Sequence, residues 1–569
     1  MIANYYILLL LFSLFQLCFL EKLRVYTKNA CFEGKSSSKF RNVVEFLGIP
    51  FATPPVGKYR FKAPRPVAKD GYGKGCFKAS TPAKTCYFER ESNGFVGIDE
   101  WQPKSLNMSE DCLQLNMWVP KNKTGAVIVF IFGKGYYMGS PSLPQYEGSA
   151  LASMTGSIVI NLNYRLGVLG FAFYKHGHII PGNMGLLDQQ LGLEWIYQNI
   201  EKFGGKKSMI TIMGDNQGAS SATAHLFSHG SEKYFSKIVA VSGTILNSWA
   251  LEKSHVLDSN FRKLMDKMNC SHKNEDVEIK CMQTADVSKL IRMAGTIKNS
   301  EQLPIVYPFL PMDNDGFFFK NSLTKLLDQG QMKKNFDILI GKTTDEATIY
   351  MHKFMSCKRY GCSFDPKKNP ESLVNQCLMN KFQYIHSIKL LVQSLRLRYI
   401  AIRKIMKLYG ERKRQSFRHK ASRIYADFLF DCDYVEFAKK ISKYAANKYF
   451  YVMGKTSALN AWSSWMGVTN DYQTHYIFGH PFLNPKKYGK KISNELKFST
   501  QVMKTLGKFV KEGRLFKSWR QFKRREMVAA HIIHVLKEKD RFRNVVVDTR
   551  KCKMIKFIKR RYKIVKSPF

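Results

Sequence analysis

Ile210-Thr211-Ile212-Met213-Gly214-Asp215-Asn216-Gln217-Gly218-Ala219-Ser220 reads as a buried strand, a tight turn between two glycines, and the start of a helix. Such a turn lifts its central side chain to the top of a sheet, the geometry of a nucleophile elbow. It requires glycine on both sides because the flanking backbone must approach its neighbours closely. The central residue here is Asn216. An amide is not a nucleophile at neutral pH, although Asn tolerates positive φ and can hold the turn.

On either side of this segment, short runs rich in β-branched and aliphatic residues recur at Val127 to Phe132, Ser157 to Leu162, Ile238 to Val241, Ile338 to Ile340 and Tyr449 to Met453. Unbroken apolar runs of this kind suit strands buried on both faces. Amphipathic stretches such as Leu187 to Phe203 and Ser220 to Phe227 lie between them. The alternation predicts one large α/β domain, a mostly parallel central sheet covered by helices on both faces. No internal repeat or low-complexity linker divides it.

The 569 residues carry 90 Lys and Arg against 44 Asp and Glu, a formal charge of +46, while 45% of them are hydrophobic. That apolar content excludes a disordered polycation. The run Ile7 to Leu20, followed by Glu21, Lys22 and Arg24, reads as a signal peptide over residues 1–20 and hence a secreted, extracellular protein. An uncleaved N-terminal membrane anchor is the alternative, but the run is shorter than the roughly 20 residues that span a bilayer. Twelve cysteines fit an oxidising compartment. Sequons at Asn107, Asn122 and Asn269 fit it too, each a glycan acceptor.

Several segments together resemble the type-B carboxylesterase and cholinesterase family of α/β-hydrolases. They are Phe46 to Ala52 with Pro54 to Gly57, Glu110 to Asn116, Asn163 to Gly167, Gly182 to Gln189, and Phe203-Gly204-Gly205 before the elbow. The resemblance covers nearly the whole chain after the leader and implies an α/β-hydrolase domain over 21–552 with a basic tail over 553–569. It also implies a Ser-His-Glu triad, and here the chain departs from the pattern. Glu346 matches the acid, but Asn216 stands at the nucleophile and Asn470 at the base, and neutral Asn cannot shuttle a proton. The oxyanion loop Gly133-Lys134-Gly135 breaks a run of three glycines, and Gln217 replaces the small residue after the nucleophile. Ser220, Ser221 and His475 are the nearby residues that could rescue catalysis.

By the same resemblance, Trp101 is similar to a choline-site tryptophan and Trp249 to an acyl-pocket tryptophan. With Asp215 beside the elbow, they would bind a small ester or a quaternary ammonium by cation–π and Coulomb attraction. Core packing is the competing role for both tryptophans. The resemblance also implies disulfides Cys86–Cys112, Cys270–Cys281 and Cys432–Cys552. Cys31, Cys76, Cys357, Cys362 and Cys377 are left over, an odd number that requires at least one free or intermolecular thiol.

Two basic clusters complete the sequence. One runs from Arg396 to Lys420 and includes Arg398, Arg403, Lys404, Lys407, Arg412, Lys413, Arg414 and Arg418. The other runs from Lys551 to Lys566. They suit a polyanion, either a sulfated glycan or an anionic membrane surface, and they repel cationic esters. The expectation is therefore a secreted pseudoenzyme that binds a ligand or a protein partner. The cholinesterase-like adhesion proteins neuroligin, neurotactin and gliotactin resemble it in lacking catalysis. The alternative is an active carboxylic ester hydrolase with a non-standard nucleophile. A homodimer is a further expectation; no metal, cofactor or nucleic acid is expected.

Overall fold

A computed structural model describes residues 23–564 except 69, 92–93, 300–305, 411–414, 471, 533–542 and 548. The leader 1–20, Arg412 to Arg414 and Lys566 lie outside the described residues.

The core is an eleven-stranded sheet. Its strands are β1 (Lys35–Ser36), β2 (Val43–Pro50), β3 (Gln114–Pro120), β4 (Val127–Ile131), β5 (Ile158–Leu162), β6 (Ile210–Asp215), β7 (Lys237–Val241), β8 (Phe336–Thr343), β9 (Ala445–Met453), β10 (Val528–Ile532) and β11 (Arg543–Val546). The spatial order is 11-10-9-8-7-6-4-5-3-2-1. Strands β5, β4, β6, β7, β8, β9 and β10 run parallel to their neighbours. Both margins turn antiparallel, at β3 to β1 and at β11. Each apolar run read from the sequence lies in one of the parallel strands. β4, β5, β6 and β7 are buried along their whole length, as strands covered on both faces must be.

Helices α1 (Met184–Asn199) and α2 (Gln217–Ala224) follow β5 and β6 in the chain. The loop after β5 is fixed to α1 by a buried bidentate ion pair. Arg165 Nε donates to Asp188 Oδ2 at 2.8 Å and Nη2 to Oδ1 at 2.7 Å. Arg60 grips Glu110 in the same way, at 2.7 Å for both bonds. Paired, hydrogen-bonded charges are the form in which buried ions are tolerated. Glu110, Arg165 and Asp188 lie within the sequence segments that carried the family resemblance.

Five disulfides form: Cys31–Cys76, Cys86–Cys112, Cys270–Cys281, Cys362–Cys377 and Cys432–Cys552. Cys357 is the free thiol among the described residues, and it is exposed. Asn107, Asn122 and Asn269 are all exposed. No helix among the described residues is long and apolar enough to cross a membrane.

The basic C-terminal tail expected over 553–569 is helical at its start. Helix α4 (Arg550–Arg561) runs through that boundary and buries Ile555 and Ile558 against the domain. Its end docks on the start of α3 (Ile400–Tyr409), where Arg398 N–H donates to Tyr562 O at 2.7 Å and Ile564 N–H to Arg396 O at 2.8 Å. The two basic clusters, far apart in sequence, therefore share one surface. Lys556 and Lys559 are partly neutralised there by Glu436 and Asp433.

Candidate functional site

Asn216 occupies the turn between β6 and α2 with φ 53° and ψ −114°, a conformation that L-residues avoid unless the surroundings impose it. Here the surroundings do impose it. A Cβ on Gly214 would lie 2.1 Å from the Gly218 carbonyl oxygen, and one on Gly218 would lie 2.0 Å from that of Ile131. Asn216 N–H donates to Val241 O at 2.8 Å, tying the turn to the neighbouring strand. The side chain is 6% exposed. Its Nδ2 donates to Tyr350 Oη at 3.3 Å, and its Oδ1 has no partner.

Glu346 follows β8 and is completely buried. Its Oε1 accepts from Ser242 Oγ and from Thr343 N–H, both at 2.7 Å, while Oε2 has no partner. Burial raises its pKa to about 7, opposed by the Lys342 charge and the Ser242 hydroxyl. Asn470 lines the same site, 2% exposed, with Nδ2 unpartnered. Gln473 Nε2 donates to both Ser242 Oγ and Asn470 O. Glu346 is thus linked to the Asn470 backbone through Ser242 and Gln473, and neutral Asn470 carries no titratable proton to pass between acid and elbow.

The loop Gly133-Lys134-Gly135, expected by resemblance to carry oxyanion donors, makes a contact the sequence did not disclose. Gly135 N–H, which points into the site, donates to Gln217 Oε1 at 2.6 Å. A side chain from the residue after the elbow therefore satisfies one of the backbone donors that would meet a developing oxyanion. Lys134 reaches the other way, placing Nζ 3.9 Å from the Trp101 ring centroid.

These contacts correct the expected ligand site. Trp101 is 3% exposed and is packed by the Lys134 ammonium and by the His475 ring, stacked at 5.9 Å. Trp249 does reach the elbow cavity. Trp101 and Asp215 are not among its lining residues. The cavity measures about 130 Å³ and is walled by Lys134, Gly135, Asn216, Gln217, Trp249, Tyr307, Tyr350, Lys353, Phe354 and Asn470, among others. Tyr307, Tyr350, Lys353 and Phe354 escaped the sequence reading, since they lie in no recognisable motif. Their only signal is aromatic clustering.

The rescue candidates do not face this cavity either. Ser220 and Ser221 are fully buried in α2, with Ser220 Oγ donating to Thr244 O at 2.8 Å and Ser221 Oγ accepting from Gln189 Nε2 at 3.1 Å. His475 is fully buried, with both ring nitrogens unpartnered, and burial together with His480 pushes its pKa well below the usual imidazole range.

A parallel sheet carrying a strand–turn–helix elbow, with an acid on the loop after a later strand, defines the α/β-hydrolase class. The profile of the carboxylesterase family matches residues 21–546. The chain is 34% identical over 480 residues to a cholinesterase of Mus musculus, covering 83% of this chain and 75% of the relative. It is 31% identical over 490 residues to acetylcholinesterase 4 of Caenorhabditis briggsae, covering 83% and 78%. It is 30% identical over 501 residues to an acetylcholinesterase of Bungarus fasciatus, covering 86% and 78%. The chain belongs to the carboxylesterase family.

Proposed function

We propose that this protein is a secreted, catalytically silent carboxylesterase that binds a ligand or partner at a site no longer able to cleave esters. The carrying observation is the elbow itself. Asn216 offers no nucleophile, Asn470 offers no base, and Gln217 Oε1 occupies the Gly135 N–H. Each change removes a separate contribution to acyl transfer. Five disulfides and three exposed sequons support secretion and glycosylation. Purified protein given acyl-thiocholine and p-nitrophenyl esters is expected to show no turnover and no fluorophosphonate label. Turnover with covalent labelling would overturn the reading and establish an active hydrolase with a non-standard nucleophile.

Polyanion binding is the second reading, favoured by the docking of α4 on α3. Arg398, Arg403, Lys404, Arg560, Arg561 and Lys563 are exposed on these paired elements. Retention on a heparin column is expected to fall with salt through counterion release. Arg560→Glu with Arg561→Glu and Lys563→Glu should elute at much lower salt. The same reversal at Lys202, Lys206 and Lys207 should matter far less. Equal effects from both sets would mean that net charge alone, and no local surface, causes retention.

A further inference from the structure

We infer that the face formed by α4 and the start of α3 docks on an anionic lipid bilayer, where the chain lies peripherally with apolar side chains set into the headgroup region. The inference rests on the polyanion reading and names its partner.

The first observation is the placement of apolar side chains. Ile555 and Ile558 turn one side of α4 into the domain, and the Cys432–Cys552 bond holds the helix there. At about 100° per residue, Met554 and Phe557 leave from the outer side, and both are exposed, Phe557 by 54%. Tyr399 and Ile400 at the start of α3 are exposed too, Tyr399 by 63%, as is Ile564. Ring and backbone contacts join these segments. The Phe557 ring meets the Tyr562 ring edge-on at 6.4 Å, Tyr562 O accepts from Arg398 N–H, and Ile564 N–H donates to Arg396 O. Single exposed apolar residues are ordinary on a surface, whereas a joined group of five marks a contact.

The second observation is the charge around them. Arg398, Arg403, Lys404, Arg560, Arg561 and Lys563 are exposed on the same two segments and pair with no acid among the described residues. Glu436 and Asp433 are already engaged, by Lys556 at 2.6 Å and by Lys559 at 3.0 Å. Each free cation close to an anionic bilayer is worth about fivefold in partition. Its aliphatic stem also lies along the apolar group that it borders.

Together the two select the partner. A sulfated glycan rewards the cations and leaves the apolar side chains in water. A second copy of the chain covers the apolar side chains but brings two equally positive faces together across a two-fold axis. An anionic bilayer accepts both at once, with lipid headgroups at the cations and the upper acyl chains around Met554 and Phe557. The contact is with the membrane surface alone and asks no helix to cross it.

Flotation of the full secreted chain tests this, with vesicles of phosphatidylcholine and phosphatidylserine against vesicles of phosphatidylcholine alone. Wild type is expected to float with the mixed vesicles and not with the neutral ones. Met554→Ser with Phe557→Ser should lower partition onto the mixed vesicles about tenfold or more while leaving heparin elution where it was. Arg560→Glu with Arg561→Glu and Lys563→Glu should lose about 100-fold or more on the vesicles and elute early from heparin as well. The inference is overturned if wild type ignores the mixed vesicles, or if the serine pair binds them as wild type does, which would make charge the whole cause. It is overturned equally if the serine pair converts a dimer to a monomer without weakening vesicle binding, since a second copy would then be the occupant. Should the serine pair fail to fold, Tyr399→Ser replaces it, with an expected loss of about threefold or more. Failure of wild type to bind either heparin or vesicles sinks the polyanion reading itself, whereas heparin retention without vesicle binding sinks only this inference.

Discussion

Asn216→Ser alone is expected to leave the protein unable to turn over esters, and activity should emerge only when the base and the oxyanion donor are restored with it. A serine at the elbow would still face Asn470, which cannot take its proton. In triads that act as a unit, losing one member costs nearly as much as losing all, on the order of 10⁴- to 10⁶-fold. Asn216→Ser with Asn470→His should therefore give the first fluorophosphonate label and a slow turnover. Adding Gln217→Ala would free the Gly135 N–H, worth a further 10²- to 10³-fold on the scale of one oxyanion donor. The elbow backbone is already in place, so these gains need no refolding of the turn. Strong turnover from Asn216→Ser alone would show that another residue supplies the base.

The second large effect concerns the acid left behind. Burial pushes the Glu346 carboxyl up to about 7 in the folded protein, against an ordinary carboxyl value of 4.5. The folded protein therefore holds a proton that the unfolded chain has already released. Stability falls as pH rises from about 4.5 to 7 and stays reduced above that. Glu346→Gln removes this dependence while keeping an oxygen to accept from Thr343 N–H. Relative to wild type, the variant is expected to gain about 2–3 kcal/mol in unfolding free energy between pH 5 and pH 8. Urea unfolding at the two pH values measures the difference. A gap that does not widen with pH would mean that Glu346 ionises without penalty, for instance through compensation by Lys342.

The parallel centre of the fold was legible because burial on both faces leaves an unbroken apolar run, and β4 to β9 each contain one. The margins were not. β2 contains Gly48 and Pro50, and β1 is two residues long, so their pairing follows from tertiary context rather than from periodicity. At the site, the amides Asn216 and Asn470 could be read from residue type alone, since an amide supplies neither a nucleophile nor a base in any geometry. What Gln217 and Lys134 do could not be read this way. Both are long side chains whose roles depend on which way they turn, and sequence carries no such direction. Trp101 illustrates the cost, placed in a ligand site by its neighbours in sequence and withdrawn from it by a lysine thirty-three positions later. The helical state of residues 553–561 was hidden by its charge, because only Ile555 and Ile558 mark a buried face.

The Cys432–Cys552 bond anchors that helix at its first turn to the start of the helix bearing Asp433 and Glu436. The positive charges of α4 are thereby presented as a fixed lattice rather than as a swinging polycation. A rigid array loses little conformational freedom when it meets a target, so the ordering cost that a free basic tail would bear at binding is met during folding. Spacing then becomes a selective property. If this surface binds a polyanion as proposed, a polymer whose anionic groups repeat in register with these side chains would gain over one of equal charge whose groups do not, and reducing the disulfide would erase that discrimination while leaving the charge untouched.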